Sequence, residues 1–215
     1  MRAHEFITEG KKEFSPQFKA WFGNSKVVDT SGNPLVVYHS TDSGDIVDFD
    51  PALDKRGNGL IFFAPDPWDT LGDASTPSSV TYPCYLLIQN LFDATKNLSP
   101  RLVEWINTHK QILEKDITAY YNEFGLGYGQ SYFDEETSTL NIRSYIFAIS
   151  SGDWQAVEAS KSLINAIKSM GYDGFKFFES GDTYAVFSPA QIKSVVGNNG
   201  NYNKDSASII DEHTK

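Results

Sequence analysis

The feature that most constrains this chain is a series of short runs rich in β-branched and aromatic residues, each cut off by glycine, proline or a polar turn. They are Leu35–His39, Gly59–Ala64, Thr81–Ile88, Gly174–Phe178, Thr183–Phe187 and Ile192–Val196. Such runs are too short for good helices, and their residues suit a pleated, half-buried surface. Val27-Val28, the turn Thr30–Pro34 and Leu35–His39 read as a hairpin.

Only a few helical patterns lie between these runs. Ser15-Pro16 and Ser99-Pro100 are hydroxyl N-caps followed by proline at the first helical position. Phe18, Trp21 and Phe22 share one face of the first helix. Leu102, Val103, Ile106, Leu113 and Ile117 form the stripe of the second. Val157 to Met170 predicts a third helix, closed by Gly171. Many short strands with few helices predict an α+β domain of two packed, mainly antiparallel sheets with flanking helices. The expected limits are a loose N-terminus over 1–14, one domain over 15–200 with an insertion at about 120–147, and a disordered polar tail over 201–215.

Charge narrows the partners. The chain of 215 residues carries a formal net charge of −10, which argues against a broad nucleic-acid or anionic-membrane surface. A small anionic ligand held by backbone N–H groups remains compatible with it. The single cysteine, Cys84, allows no internal disulfide and no cysteine-rich zinc site, and its apolar surroundings make it an inert thiol. No stretch has the apolar length of a signal peptide or membrane helix, so a cytoplasmic protein is expected. Gly125-Leu126-Gly127-Tyr128-Gly129 lacks the third spaced glycine of a dinucleotide fingerprint and is read as loop.

Of the four histidines, His39 alone sits against a strand-like run. Leu35-Val36-Val37 delivers Tyr38-His39 into Ser40-Thr41 and a polar loop, which sets the imidazole at a strand mouth where a ligand can be held. A partly buried core histidine satisfied by its neighbours is the competing reading.

Three blocks in order carry a resemblance. They are Phe18–Val28 through Pro34–Thr41, then Gly59–Pro67 with the Tyr82-Pro83-Cys84-Tyr85 strand, then Gly171–Phe175 with Tyr184–Ser194. Together they resemble the ADP-ribosyltransferase fold of the diphtheria-toxin and poly(ADP-ribose) polymerase type, closest to the small domains of phage polyvalent proteins. The resemblance implies NAD⁺ as substrate, gripped in a cleft between two sheets, and an oxocarbenium-like transition state as in glycoside hydrolysis. It implies His39 as the histidine that binds a ribose, with Tyr38, Ser40 and Thr41 beside it. It also implies Phe62 and Phe63 as the nicotinamide wall and Thr70 as the hydroxyl that meets the carboxamide.

The chain departs from the family pattern in three places. Ser40 stands where glycine is usual, Asp73 where the stacking tyrosine falls, and Thr183 where the catalytic glutamate falls. Asp182 precedes Thr183 but faces the opposite way in a strand, and Glu179 is read as a solvated turn residue. The expected activity is mono-ADP-ribosylation of a protein target in a bacterial host, with His39 and Thr183 as catalytic residues and a nucleic-acid acceptor left open. A domain on the same fold that binds NAD⁺ or a protein without chemistry is the alternative. The aromatic residues of 120–139, Tyr120, Tyr121, Tyr128, Tyr132 and Phe133, are read either as an acceptor surface or as a self-packed loop.

Overall fold

The structure, a computed structural model, describes residues 14–54, 57–70, 79–124, 131–198 and 200–210. The first sheet contains β1 (Val37–Thr41), β3 (Val80–Leu86) and β7 (Ile192–Ser194), in the order β1-β3-β7 and antiparallel throughout. The second contains β2 (Ile61–Phe63), β4 (Leu91–Asp93), β5 (Gly174–Phe178) and β6 (Asp182–Val186), in the order β2-β6-β5-β4. Only its β4–β5 pair is parallel.

Side-chain alternation along these strands builds a layered domain. Val37, Cys84, Leu86 and Ile192 of the first sheet meet Ile61, Phe63, Tyr184 and Val186 of the second in a dry core between the sheets. Helix α1 (Pro16–Phe22) covers the outer face of the first sheet, packing Phe18, Trp21 and Phe22 around Tyr85. Its start follows from the sequence: the Phe18 N–H donates to Ser15 Oγ at 3.1 Å, and Pro16 occupies the first turn. The far face of the second sheet, with Phe92, Phe175, Phe177 and Ala185, lies under the remaining helices. These are α2 (Pro100–Thr108), α3 (Lys110–Phe124), α4 (Ile142–Ser150), α5 (Trp154–Glu158) and α6 (Lys161–Ser169).

Several sequence expectations are corrected. The hairpin shrinks to one bridge between Val28 and Pro34, since proline has no N–H to extend a ladder. The stripe from Leu102 to Ile117 breaks into two helices at His109, whose ring stacks on Trp105 at 4.3 Å. The helix expected over Val157–Met170 divides at Ser160, which caps α6 by accepting from the Leu163 N–H at 3.1 Å. Strand β4 and helix α4 carried no legible pattern.

About half of the insertion where it is described is helical, from the end of α3 and the start of α4. Tyr120 and Tyr132 are buried in the helical core, and Tyr121 and Phe133 pack against it, so these side chains are core rather than an acceptor surface. The Gly125–Gly129 run and Tyr128 lie outside the described residues.

The disordered tail is also corrected over residues 200–210. Ile209 is 1% exposed in the core between the sheets, Tyr202 packs edge-on against Phe18 at 5.0 Å, and Ser208 bridges Asp48. Lys193, fully buried, donates from Nζ to the carbonyls of Ser206 at 3.1 Å and Ser208 at 2.6 Å. Local polarity predicts disorder, but these long-range anchors hold the segment. Among the described residues no helix is long and apolar enough to cross a membrane.

Candidate active site

The two sheets meet edge to edge at one bridge between β1 and the residue after β2. The Tyr38 N–H donates to the Ala64 carbonyl at 2.8 Å, and the Ala64 N–H returns a bond to the Tyr38 carbonyl at 3.0 Å. Beside this bridge lies a cleft of about 250 Å³, and it gathers His39, Ser40, Phe62, Phe63, Thr70 and Thr183 from four separate segments.

His39 is positioned by β1 at the edge of the core between the sheets. Its ring meets Phe49 edge-on at 4.9 Å and Phe63 at 5.4 Å. Nδ1 lies 2.8 Å from the Phe62 carbonyl oxygen, which can only accept, so Nδ1 carries the proton and Nε2 is left as an acceptor. Burial pushes the imidazole below its ordinary pKa of 6.5, against the smaller opposing effect of that hydrogen bond. His39 is therefore neutral at pH 7.

Ser40, which stands where glycine is usual, bonds to two other hydroxyls. Its hydroxyl is 2.7 Å from Thr70 Oγ1 and 2.8 Å from Thr81 Oγ1, which ties the turn Pro67–Thr70 to β1 and β3. Phe62 packs against Trp154 at 6.0 Å and Phe177 at 6.1 Å, so it is both core and cleft wall. Thr183 lies opposite Phe177 in the β5–β6 ladder and faces the cleft. Asp182 turns the other way and forms an ion pair with Lys176 at 2.8 Å.

Three further residues line the cleft: Asp69, Trp154 and Glu179. Glu179 sits in the turn between β5 and β6, which closes through its N–H to the Gly181 carbonyl at 3.0 Å. Ser180 Oγ donates to Asp69 Oδ1 at 2.8 Å, which brings the two carboxylate-bearing turns side by side. Glu179, which by sequence alone reads as a solvated turn residue, is exposed, but at the cleft. Nothing local marked Trp154 or Asp69, because long-range folding alone brings them here.

Two of the expected ligand contacts are elsewhere. Tyr38 does not line the cleft; its phenol is pushed up in pKa by burial and, less, by Asp66. Thr41 is likewise outside it, and its Oγ1 accepts from the Ser43 N–H at 3.2 Å. Asp73 lies outside the described residues.

The lining has a definite chemical character. It offers aromatic walls, a neutral histidine with a free lone pair, hydroxyls and two carboxylates, with no lysine or arginine among the described residues that line it. Such a surface grips a ring, hydrogen-bonds hydroxyl or amide groups, and favours positive charge.

Comparison with family models gives one result that spans most of the chain: residues 29–202 match the family described as ADP-Ribosyltransferase in polyvalent proteins. No curated protein and no solved structure matches the chain.

Proposed function

Since the chain belongs to the family of ADP-ribosyltransferases in polyvalent proteins, we propose that it transfers ADP-ribose from NAD⁺ to a protein of a bacterial host, with release of nicotinamide. The observation that carries this reading is the convergence of His39, Ser40, Phe62, Thr70 and Thr183 on one cleft. At about 250 Å³ it is smaller than the roughly 300–1,000 Å³ of typical small-molecule sites, so it suits one end of a dinucleotide. The cationic nicotinamide end matches its carboxylates and aromatic walls, while the pyrophosphate would lie outside, where no lining cation is required.

In the reaction the bond between ribose C1′ and the pyridine nitrogen breaks, and its electron pair neutralises the departing nicotinamide. A nucleophile of the acceptor bonds to C1′ and loses its proton. Positive charge builds on the ribose between these events, so fixed negative charge nearby lowers the barrier. Thr183 carries none. Glu179 and Asp69 line the same cleft and can supply it. His39 Nε2 would accept from a ribose hydroxyl, Phe62 and Trp154 would wall the ring, and the Ser40 main chain with Thr70 would hold the carboxamide.

A protein acceptor suits the surroundings better than a nucleic acid. Trp68 and Phe178, next in sequence to Asp69 and Glu179, are 73% and 54% exposed, and the chain is acidic overall. Exposed aromatic residues of this kind are enriched at protein interfaces.

The test is transfer from labelled NAD⁺ into bacterial lysate by wild type and His39→Ala. A labelled band, with nicotinamide released, is expected for wild type alone. Folded wild type that yields neither, or a variant that labels equally well, overturns the reading.

A further inference from the structure

Three tyrosine phenols converge on one short helix. Helix α5, Trp154–Glu158, cannot hold its shape alone, since isolated helices are marginal below roughly 12–15 residues. Its N-cap, Asp153, accepts at Oδ1 from the Gln155 N–H at 3.0 Å and the Ala156 N–H at 3.3 Å. The Tyr132 hydroxyl donates to Oδ2 of the same carboxylate. Tyr145 Oη donates to the Ala156 carbonyl at 2.7 Å, and Tyr120 Oη donates to Glu158 Oε2 at 2.7 Å. All three tyrosines are buried, and all come from residues 120–147. At the far end Asn58 Nδ2 donates to the Glu158 carbonyl at 2.6 Å, which ties the helix to the approach of β2.

What this helix presents is Trp154. Its first residue lines the cleft and meets Phe62 edge-on at 6.0 Å. The same corner reaches the opposite rim, because the Phe178 N–H donates to the Gly152 carbonyl at 3.2 Å, one residue before Glu179. Burial pushes the Tyr132 and Tyr145 phenols far above their usual range, with the Asp153 carboxylate adding to the shift at Tyr132, so both are fixed donors at neutral pH. Core packing alone does not call for three hydroxyls on one segment: phenylalanine would fill nearly the same volume with no polar group to satisfy. Their common target is the segment that carries a wall of the cleft.

We propose that Tyr120, Tyr132 and Tyr145 form a clamp on α5 that positions Trp154 and thereby sets how tightly the cleft holds its ligand. The proposal rests on the reading of NAD⁺ as donor and adds to it what residues 120–147 do for the site. Trp154 touches the ligand. The tyrosines and Asp153 are positioning residues that act through it. A wall set back by about 1 Å forfeits up to about half of its dispersion contact with a flat ring, so small movements of α5 reach the ligand directly.

The test is titration calorimetry of the full chain with NAD⁺, paired with acrylamide quenching of Trp154. The quenching is read as the difference between each protein and the same protein carrying Trp154→Phe. Tyr132→Phe keeps the ring and removes the bond to Asp153. It is expected to weaken NAD⁺ binding about 3- to 10-fold, the worth of one ordinary hydrogen bond, and to raise the quenching of Trp154. On a Trp154→Ala background the same change should add nothing, because the clamp acts through that side chain. Ile106→Val, which trims the same core from α2, should leave both readouts at wild type. Tyr145→Phe cuts a different bond of the clamp and stands in should Tyr132→Phe fail to fold. Unchanged affinity in Tyr132→Phe, or additive losses from Tyr132→Phe and Trp154→Ala, overturns the clamp and leaves the NAD⁺ reading standing. Equal weakening by Ile106→Val also overturns it, as general loosening of the core. Wild type that binds no NAD⁺ overturns the donor reading, and the quenching then decides the clamp: a rise in Tyr132→Phe upholds it and no change overturns it.

Discussion

Ser180 Oγ donates to Asp69 Oδ1 at 2.8 Å across 111 residues of sequence, and this single bond sets the β5–β6 turn against the turn that carries Thr70. Gly181 sits so close that a Cβ there would come within 3.1 Å of Asp69 Oδ2. The two turns are thus fitted to each other, with Glu179 next in sequence to the residue that joins them.

Removing that tie should disturb the site more than the fold. Ser180 is exposed, so Ser180→Ala is expected to cost under about 1 kcal/mol of stability. If Glu179 serves the reaction, the same variant should lower kcat/KM by up to about tenfold, the worth of one ordinary hydrogen bond. Urea unfolding beside a nicotinamide-release assay checks both. A variant that loses stability and activity in step would make the bond merely structural.

Stability should depend on pH through His39. The unfolded chain takes up the imidazole proton near the ordinary value of 6.5, whereas the buried ring takes it up only at lower pH. The unfolded state therefore binds more protons in that window. This contribution to stability is fully present above pH 6.5 and is lost as pH falls through the folded value. His39→Gln should flatten this part of the profile when urea unfolding is compared at pH 8, 6.5 and 5.5. Parallel profiles for the two proteins would contradict a buried neutral histidine.

Gly152 is a second point of close fit, between α4 and the Trp154 end of α5. Its φ is +86°, and a Cβ would lie 2.9 Å from the Phe178 nitrogen. Gly152→Ala is expected to destabilise the fold by about 1–3 kcal/mol through strain and overlap with the β5 backbone. Phe178 leads into Glu179, so the variant should also lower activity at temperatures where it stays folded. An unchanged melting temperature would refute the close contact.

Cys84 should behave as an inert core residue. It is fully buried between the sheets, and burial pushes its thiol far above the usual range. Labelling by a thiol reagent at pH 8 should be no faster than unfolding and should become immediate in urea. Rapid labelling of native protein would contradict this burial.

The strands were legible because their residue types declare a pleated, half-buried surface, and Leu35–Thr41 was legible as a site because it ends in groups that do not belong in a core. Thr183 was singled out by the family resemblance, whereas the opposite direction of Asp182 followed from alternation, and the ion pair between Asp182 and Lys176 agrees with it. What escaped depends on distant partners. Strand β4 has only Leu91, Phe92 and Asp93 to show a period, and is steadied by Asp173, whose carboxylate accepts from the Gln89 and Asn90 N–H groups at 2.9 and 2.8 Å. Residues 200–210 look solvated until Lys193 is seen to need their carbonyls. Trp154 reaches the cleft by packing on Phe62, a contact between segments remote in sequence.

The Tyr38–Ala64 bridge gives the cleft a mechanical property. Among the described residues its two amide bonds are the main-chain pairing that joins β1 to the β2 segment. Each such bond is worth about 0.5–1.5 kcal/mol net, far less than either packed core. The bridge does not act alone, however: the core between the sheets and the bond from His39 Nδ1 to the Phe62 carbonyl cross the same seam, so its amides should open only together with that core. The rim of the cleft is thus as rigid as the core behind it, and hydrogen exchange at the Tyr38 and Ala64 amides should be as slow as in the central strands.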